Sequence, residues 1–537
     1  MEFLKKRLPA FMLAMLMLFS LSACGKDEEE NETEEEEFFV GDQVVQQTSA
    51  EDSIFSVNFD SDGDMNPVTA QNANNMQFWS LLYDSVFIVE NDFTVSSEIV
   101  REYNSSDYEW WVFYINSDIT FHDGSPLTAT DIVYSINRAR QYDYYRSRLD
   151  CIYGISAMGD DCFAISLDAP NSQFPALLNV PIIKEGSLND TVPPGTGPYM
   201  MDDSGDKLVA YEGYRHYSDL PVDTVYLKEY MDTSAKISAF EASLIDVVTN
   251  DPTGMYNLGY GSSNEIRYYE TSNMHYIGFN FSGRYFSSAI ARTAVGAAID
   301  REGIVEDYMG NCGVAAALPL HPVSALYDDA YAHQYGYDLE KSEALFRNFG
   351  VKDYDADGVL EIMITGIVVE IDINFIVNTD STVKLEAARR IAETMNSMGI
   401  KTTLHELSWD DYVKALEEGN FDMYYGEVRM TPDWDLRYLF EPYTVTRDPD
   451  DMDKGMNYAN CFDEKYVALY EAYLAAGEDS RNLAYSEVVK YISENGAIIP
   501  ICFERQEMLT HRGVVSGINA TQYDIFNRFY EWTIDLK

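Results

Sequence analysis

Glu427 and Arg429 stand two residues apart in the segment Asp422-Met-Tyr-Tyr-Gly-Glu-Val-Arg-Met-Thr-Pro-Asp-Trp-Asp435. The run from Met423 to Arg429 reads as a strand. Side chains alternate across a strand with period two, so these opposite charges share one face. They can meet the two charged ends of a zwitterionic ligand, or they can pair with each other. Past Arg429 the chain turns through polar and aromatic residues, the arrangement expected where two lobes meet. A charge-assisted pair in a closed, dry cleft is strong because water no longer screens it. Noncovalent capture is therefore chemistry that this segment can perform.

Covalent chemistry finds no complete signature. Gly259-Tyr-Gly261-Ser-Ser lacks the closing glycine of a nucleophile turn. The same glycines run on to Asn264, where a dinucleotide loop needs a third glycine. His405-Glu406 opens like a zinc-protease motif, but Trp409 stands where the second histidine is required. Asp353-Tyr-Asp355-Ala-Asp357-Gly358 imitates the start of a calcium loop, yet its twelfth position is Ile364 rather than a bidentate carboxylate. It reads as a surface hairpin, with opportunistic calcium binding as the alternative. The seven histidines are scattered, and the five cysteines beyond Cys24 (Cys151, Cys162, Cys312, Cys461, Cys502) show no close-spaced metal pattern. A turn at Met158-Gly159-Asp160-Asp161 would set Cys151 opposite Asp168 instead of Cys162, so free, mostly buried thiols are expected. No catalytic residue, metal ligand or cofactor is assigned.

The elements around the segment read as mixed α/β. Strand-like runs include Glu109 to Ile115, Phe163 to Leu167, Thr224 to Tyr230 and His275 to Phe281. Thr128-Ala-Thr-Asp131 is a capping box ahead of Ile132, Val133, Ile136 and Ala139 at helical spacing. Leu385, Ala388, Ile391, Met395 and Met398 fall on one helical face that Gly399 ends, and Ser408 caps a further helix that stops near Gly419. With 537 residues, 46% of them hydrophobic, the chain can bury a large core and should hold more than one lobe. A formal charge of −53 argues against nucleic acid as a partner. The 40 tyrosines exceed what a core requires and suit cleft walls that must also offer a hydroxyl.

Lys5, Lys6 and Arg7 precede an apolar run, Phe11 to Leu21, that is too short to span a bilayer and reads as a cleaved signal peptide. Its Leu21-Ser22-Ala23-Cys24 ending resembles the lipobox of bacterial lipoproteins, which implies a diacylglycerol thioether on Cys24 as the new N-terminus. Nine carboxylates between Asp27 and Glu37 then form a self-repelling run expected to act as an extended tether. No later segment is apolar enough to cross a bilayer, so the body is expected to be soluble.

Several blocks occur in a shared order: Leu82-Tyr83-Asp84, then Phe121-His-Asp-Gly-Ser-Pro-Leu-Thr-Ala-Thr-Asp131, then Gly195-Thr-Gly197-Pro-Tyr199. Phe240-Glu-Ala-Ser-Leu-Ile-Asp246, Tyr276-Ile-Gly-Phe-Asn280, Ala298-Ile-Asp-Arg301 and Gly419-Asn-Phe-Asp422 follow. Together, from about residue 78 to 505, they resemble the family 5 extracellular solute-binding proteins, the dipeptide, oligopeptide and nickel-binding components of ABC importers. On their own chemistry, Asp123-Gly124-Ser-Pro126 and the Gly195–Pro198 run are tight-turn residues with an architectural role. Asp300-Arg301 reads as a local ion pair or a helix-end contact.

The resemblance implies an α/β, two-lobed periplasmic-binding-protein type II fold (cluster C) with an inserted subdomain and a hinge between lobes. It divides the chain into a leader (1–23), a tether (24–45), lobe I (46–80, 179–274 and 501–537), an inserted subdomain (81–178) and lobe II (275–500). In peptide-binding relatives an aspartate just past the cleft strand receives the ligand's α-ammonium. Asp433 is the best positional match and Asp435 the second, so the candidate ligand set is Tyr425, Glu427, Arg429, Asp433, Trp434 and Asp435. Peptide binders carry Gly-Trp before that aspartate, where this chain has Gly426-Glu427-Val428-Arg429. The implied function is a monomeric, lipid-anchored receptor at the outer face of the cytoplasmic membrane. It would pass a short peptide or another small solute to an ABC permease. A nickel chelate or oligosaccharide in the same fold, and more distantly a secreted hydrolase, remain open.

Overall fold

The computed structural model describes residues 54–69, 72–251, 253, 264–440, 457–459, 461 and 463–536. The leader, Cys24, the acidic run and the Gly259–Ser263 loop lie outside them. Among the described residues, no helix is long and apolar enough to cross a membrane.

Two long strands organise the described chain. Glu265–Phe279 and Ile499–Thr510 run antiparallel at the centre of an eleven-stranded sheet. On one side the sheet continues through Val247–Asn250, Phe55–Phe59 and Thr224–Glu229. On the other it continues through Met423–Arg429, Ile373–Asn378 and Thr402–Leu407. The ladder between the long strands runs in register from Glu265↔Thr510 to Glu270↔Arg505 and resumes at Met274↔Phe503. Thr271, Ser272 and Asn273 therefore form a bulge, which increases local twist and bends a strand.

The bulge's polar groups are bonded out of the ladder. The Thr271 hydroxyl donates to the Glu504 carbonyl (2.8 Å), and the Ser272 hydroxyl donates to the Met430 carbonyl (2.7 Å). The Ser272 N–H donates to Gln522 Oε1 (2.8 Å). Buried backbone groups need partners, and here side chains supply them. The strand-like run read from the sequence begins at His275. The structure carries that strand back to Glu265.

Apolar cores sit on either side of this crossing. Phe55, Leu82, Tyr199, Val225, Met508, Phe529 and Trp532 pack into one. Two others flank the far part of the sheet, around Tyr276, Tyr424 and Tyr470 and around Phe279, Ile391 and Met423. A further core is drawn wholly from residues between Val86 and Ile182, over a four-stranded antiparallel sheet in which Phe113 stacks on Phe163 at 4.8 Å.

The helix Ala129–Ala139 buries Ile132, Ile136 and Ala139 against that small sheet. The buried Asp131 carboxylate accepts from the Thr128 N–H (2.9 Å), the Thr128 hydroxyl (2.7 Å) and the Glu185 N–H (2.9 Å). It thus closes the helix start and ties down a distant loop. Asp131→Ala is expected to cost about 2 kcal/mol, as a lost cap plus an orphaned amide, read as a lower urea midpoint.

The hairpin ending at Met158–Cys162 has the anticipated register, since the Asp168 N–H donates to the Cys151 carbonyl (2.9 Å). All five described cysteines are free. Cys312 and Cys502 are buried, whereas Cys151, Cys162 and Cys461 are half-buried. The Asp353–Gly358 stretch is a hairpin turn between Val351–Lys352 and Glu361–Ile364. Asp300 caps a short helix through the Gly303 N–H (3.0 Å), and the buried Arg301 donates to the Pro500 carbonyl (2.7 Å).

Candidate functional site

The tight-turn blocks converge on one place. The Gly197 N–H donates to the Leu82 carbonyl (3.0 Å), and the His122 N–H donates to the Gly195 carbonyl (2.9 Å). Burial pushes the His122 imidazole down to about 4, keeping it neutral between these turns. Beside them lies a cavity of about 340 Å³. Its walls include Trp79, Tyr83, Tyr145, Tyr214, Tyr269 and Tyr523, so a share of the tyrosines faces it as rings with hydroxyls.

Charged side chains line the same cavity. Arg215 grips Asp84 with both terminal nitrogens (2.9 and 2.7 Å) and places Nε 2.5 Å from Glu98. Burial alone would raise the Glu98 carboxyl. The Arg215 charge and hydrogen bonds from Tyr530 and Arg215 outweigh it and hold Glu98 below its ordinary range. Asp524 is pushed up to about 6 by burial, despite hydrogen bonds from the Ser80 hydroxyl and the Phe526 N–H. Arg148 comes from the helix Asp143–Leu149 and Arg429 from the end of the strand Met423–Arg429.

Of the candidates read from sequence, Arg429 lines this cavity, its guanidinium 5.6 Å from the centre of the Tyr523 ring. Glu427 does not pair with Arg429 but forms an ion pair with Lys384. Tyr425 is buried, its hydroxyl 2.9 Å from His275 Nδ1. Asp433 is buried, accepting from Asn171 Nδ2 (3.1 Å) and the Thr431 hydroxyl (2.6 Å). Its carboxyl is raised by burial and by the neighbouring Asp435. Asp435 is held by Arg437 two residues on. Trp434, at φ +58, packs edge-on against Phe93 at 4.8 Å. Asp433 and Trp434 thus join the cleft turn to residues of the small-sheet region, while Arg429 reaches the cavity.

Sequence reasoning missed the cavity's other members. Arg148, Arg215 and Tyr523 sit in no motif, and they meet only through the fold. The one available signal was basic residues isolated in a strongly acidic chain.

At the crossing of the long strands, His275 Nε2 lies 2.8 Å from Glu504 Oε1, and Asn273 and Thr253 also donate to that carboxylate (2.9 and 3.0 Å). Burial would raise Glu504, but these bonds and the His275 charge hold it down, to about 2. His275, Glu427 and Glu504 offer ligand atoms within 4.8 Å of one another, a set able to hold a divalent cation. Lys384 already supplies the positive charge at Glu427. Asp353, Asp355, Asp357 and Glu361 also cluster, yet Asp353 and Glu361 spend oxygens on their own turn's amides.

A cavity walled by rings and charges lies beside the two long strands at the centre of one large sheet, with separate apolar cores on either side, the arrangement of a two-lobed α/β fold. The family model for bacterial extracellular solute-binding proteins, family 5 Middle, matches residues 94–448. The chain belongs to that family.

It is 26% identical over 369 residues to the oligopeptide-binding protein AppA of Bacillus subtilis, covering 64% of this chain and 66% of AppA. It is 21% identical over 353 residues to heme-binding protein A of Haemophilus influenzae, covering 59% of this chain and 62% of that protein. The chain therefore spans just under two thirds of the length of these curated relatives. The unliganded open form of the periplasmic murein tripeptide-binding protein MppA superposes with a TM-score of 0.74 at 18% identity, over 90% of this chain and 97% of that one. This likeness places the chain in the two-lobed type II fold.

Proposed function

We propose that this chain is the lipid-anchored receptor of an ABC importer, capturing a small solute, a short peptide first among candidates, and delivering it to a permease. One observation carries the reading. The cavity draws its walls from Trp79 and Asp524 in lobe I, from Tyr145 and Arg148 in the inserted subdomain and from Arg429 in lobe II. This reading takes over the division into lobes and subdomain expected from the sequence, and Cys24 as the anchor. A ligand that touches every wall only when the lobes meet shifts the open–closed equilibrium by its differential contact energy. Catalysis has no part in this reading. Native mass spectrometry of freshly purified protein should reveal a retained small molecule, and scattering should give a smaller radius of gyration with ligand than without. Identical scattering curves with every bound compound would remove the closing motion.

Asp433 enters this reading in one of two ways. As a seam residue tied to Asn171, its replacement by alanine orphans a buried amide and costs about 1–3 kcal/mol, read as a lower Tm. As the receiver of an α-ammonium, Asp433→Ala weakens amine-bearing ligands with Tm unchanged. The buried Asn171 contact favours the first result.

A further inference from the structure

Resting on the reading of this cavity as the capture site, we propose that the solute is net anionic and docks a carboxylate between Arg148 and Arg429. The cavity's own carboxylates are engaged: Asp84 and Glu98 by Arg215, and Asp524 by the Ser80 hydroxyl and the Phe526 N–H. Burial also pushes the Asp524 carboxyl up to about 6, which weakens it as a seat for an ammonium.

The two arginines stand differently. Arg148 is only 8% exposed, donates through one terminal nitrogen to the Asn179 carbonyl (2.7 Å) and leaves its buried Nε without a hydrogen-bond partner among the described residues. Arg429 is exposed and has no carboxylate partner among the described residues; its contact is the Tyr523 ring. The guanidinium carbons lie 6.0 and 5.6 Å from the centre of that same ring. Two like charges from different parts of the chain thus line one cavity beside one aromatic ring, although the whole protein carries a formal charge of −53.

Burying the Arg148 cation without an anion is unfavourable, and the rings of Tyr144, Tyr145 and Tyr523 around it offset only part of that. A guanidinium presents a planar fork of donors that matches a carboxylate with two parallel hydrogen bonds. A carboxylate between the two would complete both arginines at once. Because Arg429 arrives on the cleft strand and Arg148 from the inserted subdomain, the same anion would hold the closed form together.

The test is a thermal-shift and calorimetric panel of dipeptides and dicarboxylic acids, each as free acid and as the corresponding amide, on the full chain. Free acids are expected to bind at least tenfold tighter than their amides. Arg429→Gln should weaken the acids at least tenfold, narrow the gap between acids and amides, leave the unliganded Tm unchanged, and be partly rescued by Arg429→Lys. Arg429 is exposed, so its replacement spares the fold; Arg148→Gln, whose side chain is buried, serves as the second variant. Acids and amides that bind equally, or acids that bind Arg429→Gln as they bind the parent, overturn the carboxylate dock and leave the capture reading standing. A panel with no binder, together with no retained molecule in native mass spectrometry, overturns both.

Discussion

Glu504→Leu is expected to destabilise the folded chain by about 3 kcal/mol, because buried hydrogen-bonding groups are left without their shared partner. His275 would lose its partner at the crossing strands, and Asn273 and Thr253 would lose an acceptor. Urea unfolding at neutral pH measures the loss. A second readout separates this from simple cavity formation. The folded Glu504 carboxyl titrates at about 2, below the ordinary value of 4.5. A depressed carboxyl contributes stability that is fully present above its unfolded value and is lost as pH falls toward the folded one. The parent should therefore lose stability between about pH 4.5 and 2, and Glu504→Gln should show a flatter profile there. Equal profiles would mean that Glu504 is held by packing rather than by charge.

Gly195→Ala should be the more damaging change. A Cβ at Gly195 would sit 2.0 Å from the Leu82 carbonyl oxygen, and one at Gly197 would sit 2.5 Å from the Leu82 carbonyl carbon. Both obstacles are backbone, so no rotamer relieves them. Overpacking of this kind costs about 3 kcal/mol or more. It would also part the two turns that border the cavity, so ligand affinity should fall together with Tm. Gly336→Ala is the control. Its added methyl meets nothing nearer than the His333 carbonyl at 3.5 Å and should be neutral.

Local chemistry made some of this legible in the amino-acid sequence. The Thr128–Asp131 box, the glycine stops at Gly399 and Gly419 and the strand Met423–Arg429 depend on residues within one turn or one pleat of each other. The family's ordered blocks are legible for a related reason. Leu82, His122, Gly195 and Gly197 hold one another through backbone contacts that tolerate few other residues.

What stayed hidden is what the fold brings together from afar. The pairing of Glu427 with Lys384 rather than Arg429 needs the packing of the helix Thr382–Ser397 against the sheet. The meeting of Arg148 with Tyr523 joins positions whose separation along the chain carries no period. The strand's extension from His275 back to Glu265 passes through the bulge at Thr271–Asn273, where the Thr271 and Ser272 side chains serve backbone partners instead of a core.

The cavity wall formed by residues 521–530 carries a consequence for biogenesis. These positions follow almost everything else described, and Gln522, Tyr523 and Asp524 are among the last parts of the site to be synthesised. While the chain is being made, the earlier portion can assemble its sheet, but the pocket lacks a side until this stretch arrives. A chain still lacking residues 521–530 would thus have an open-sided cavity, and would complete its wall only as this stretch is laid in place.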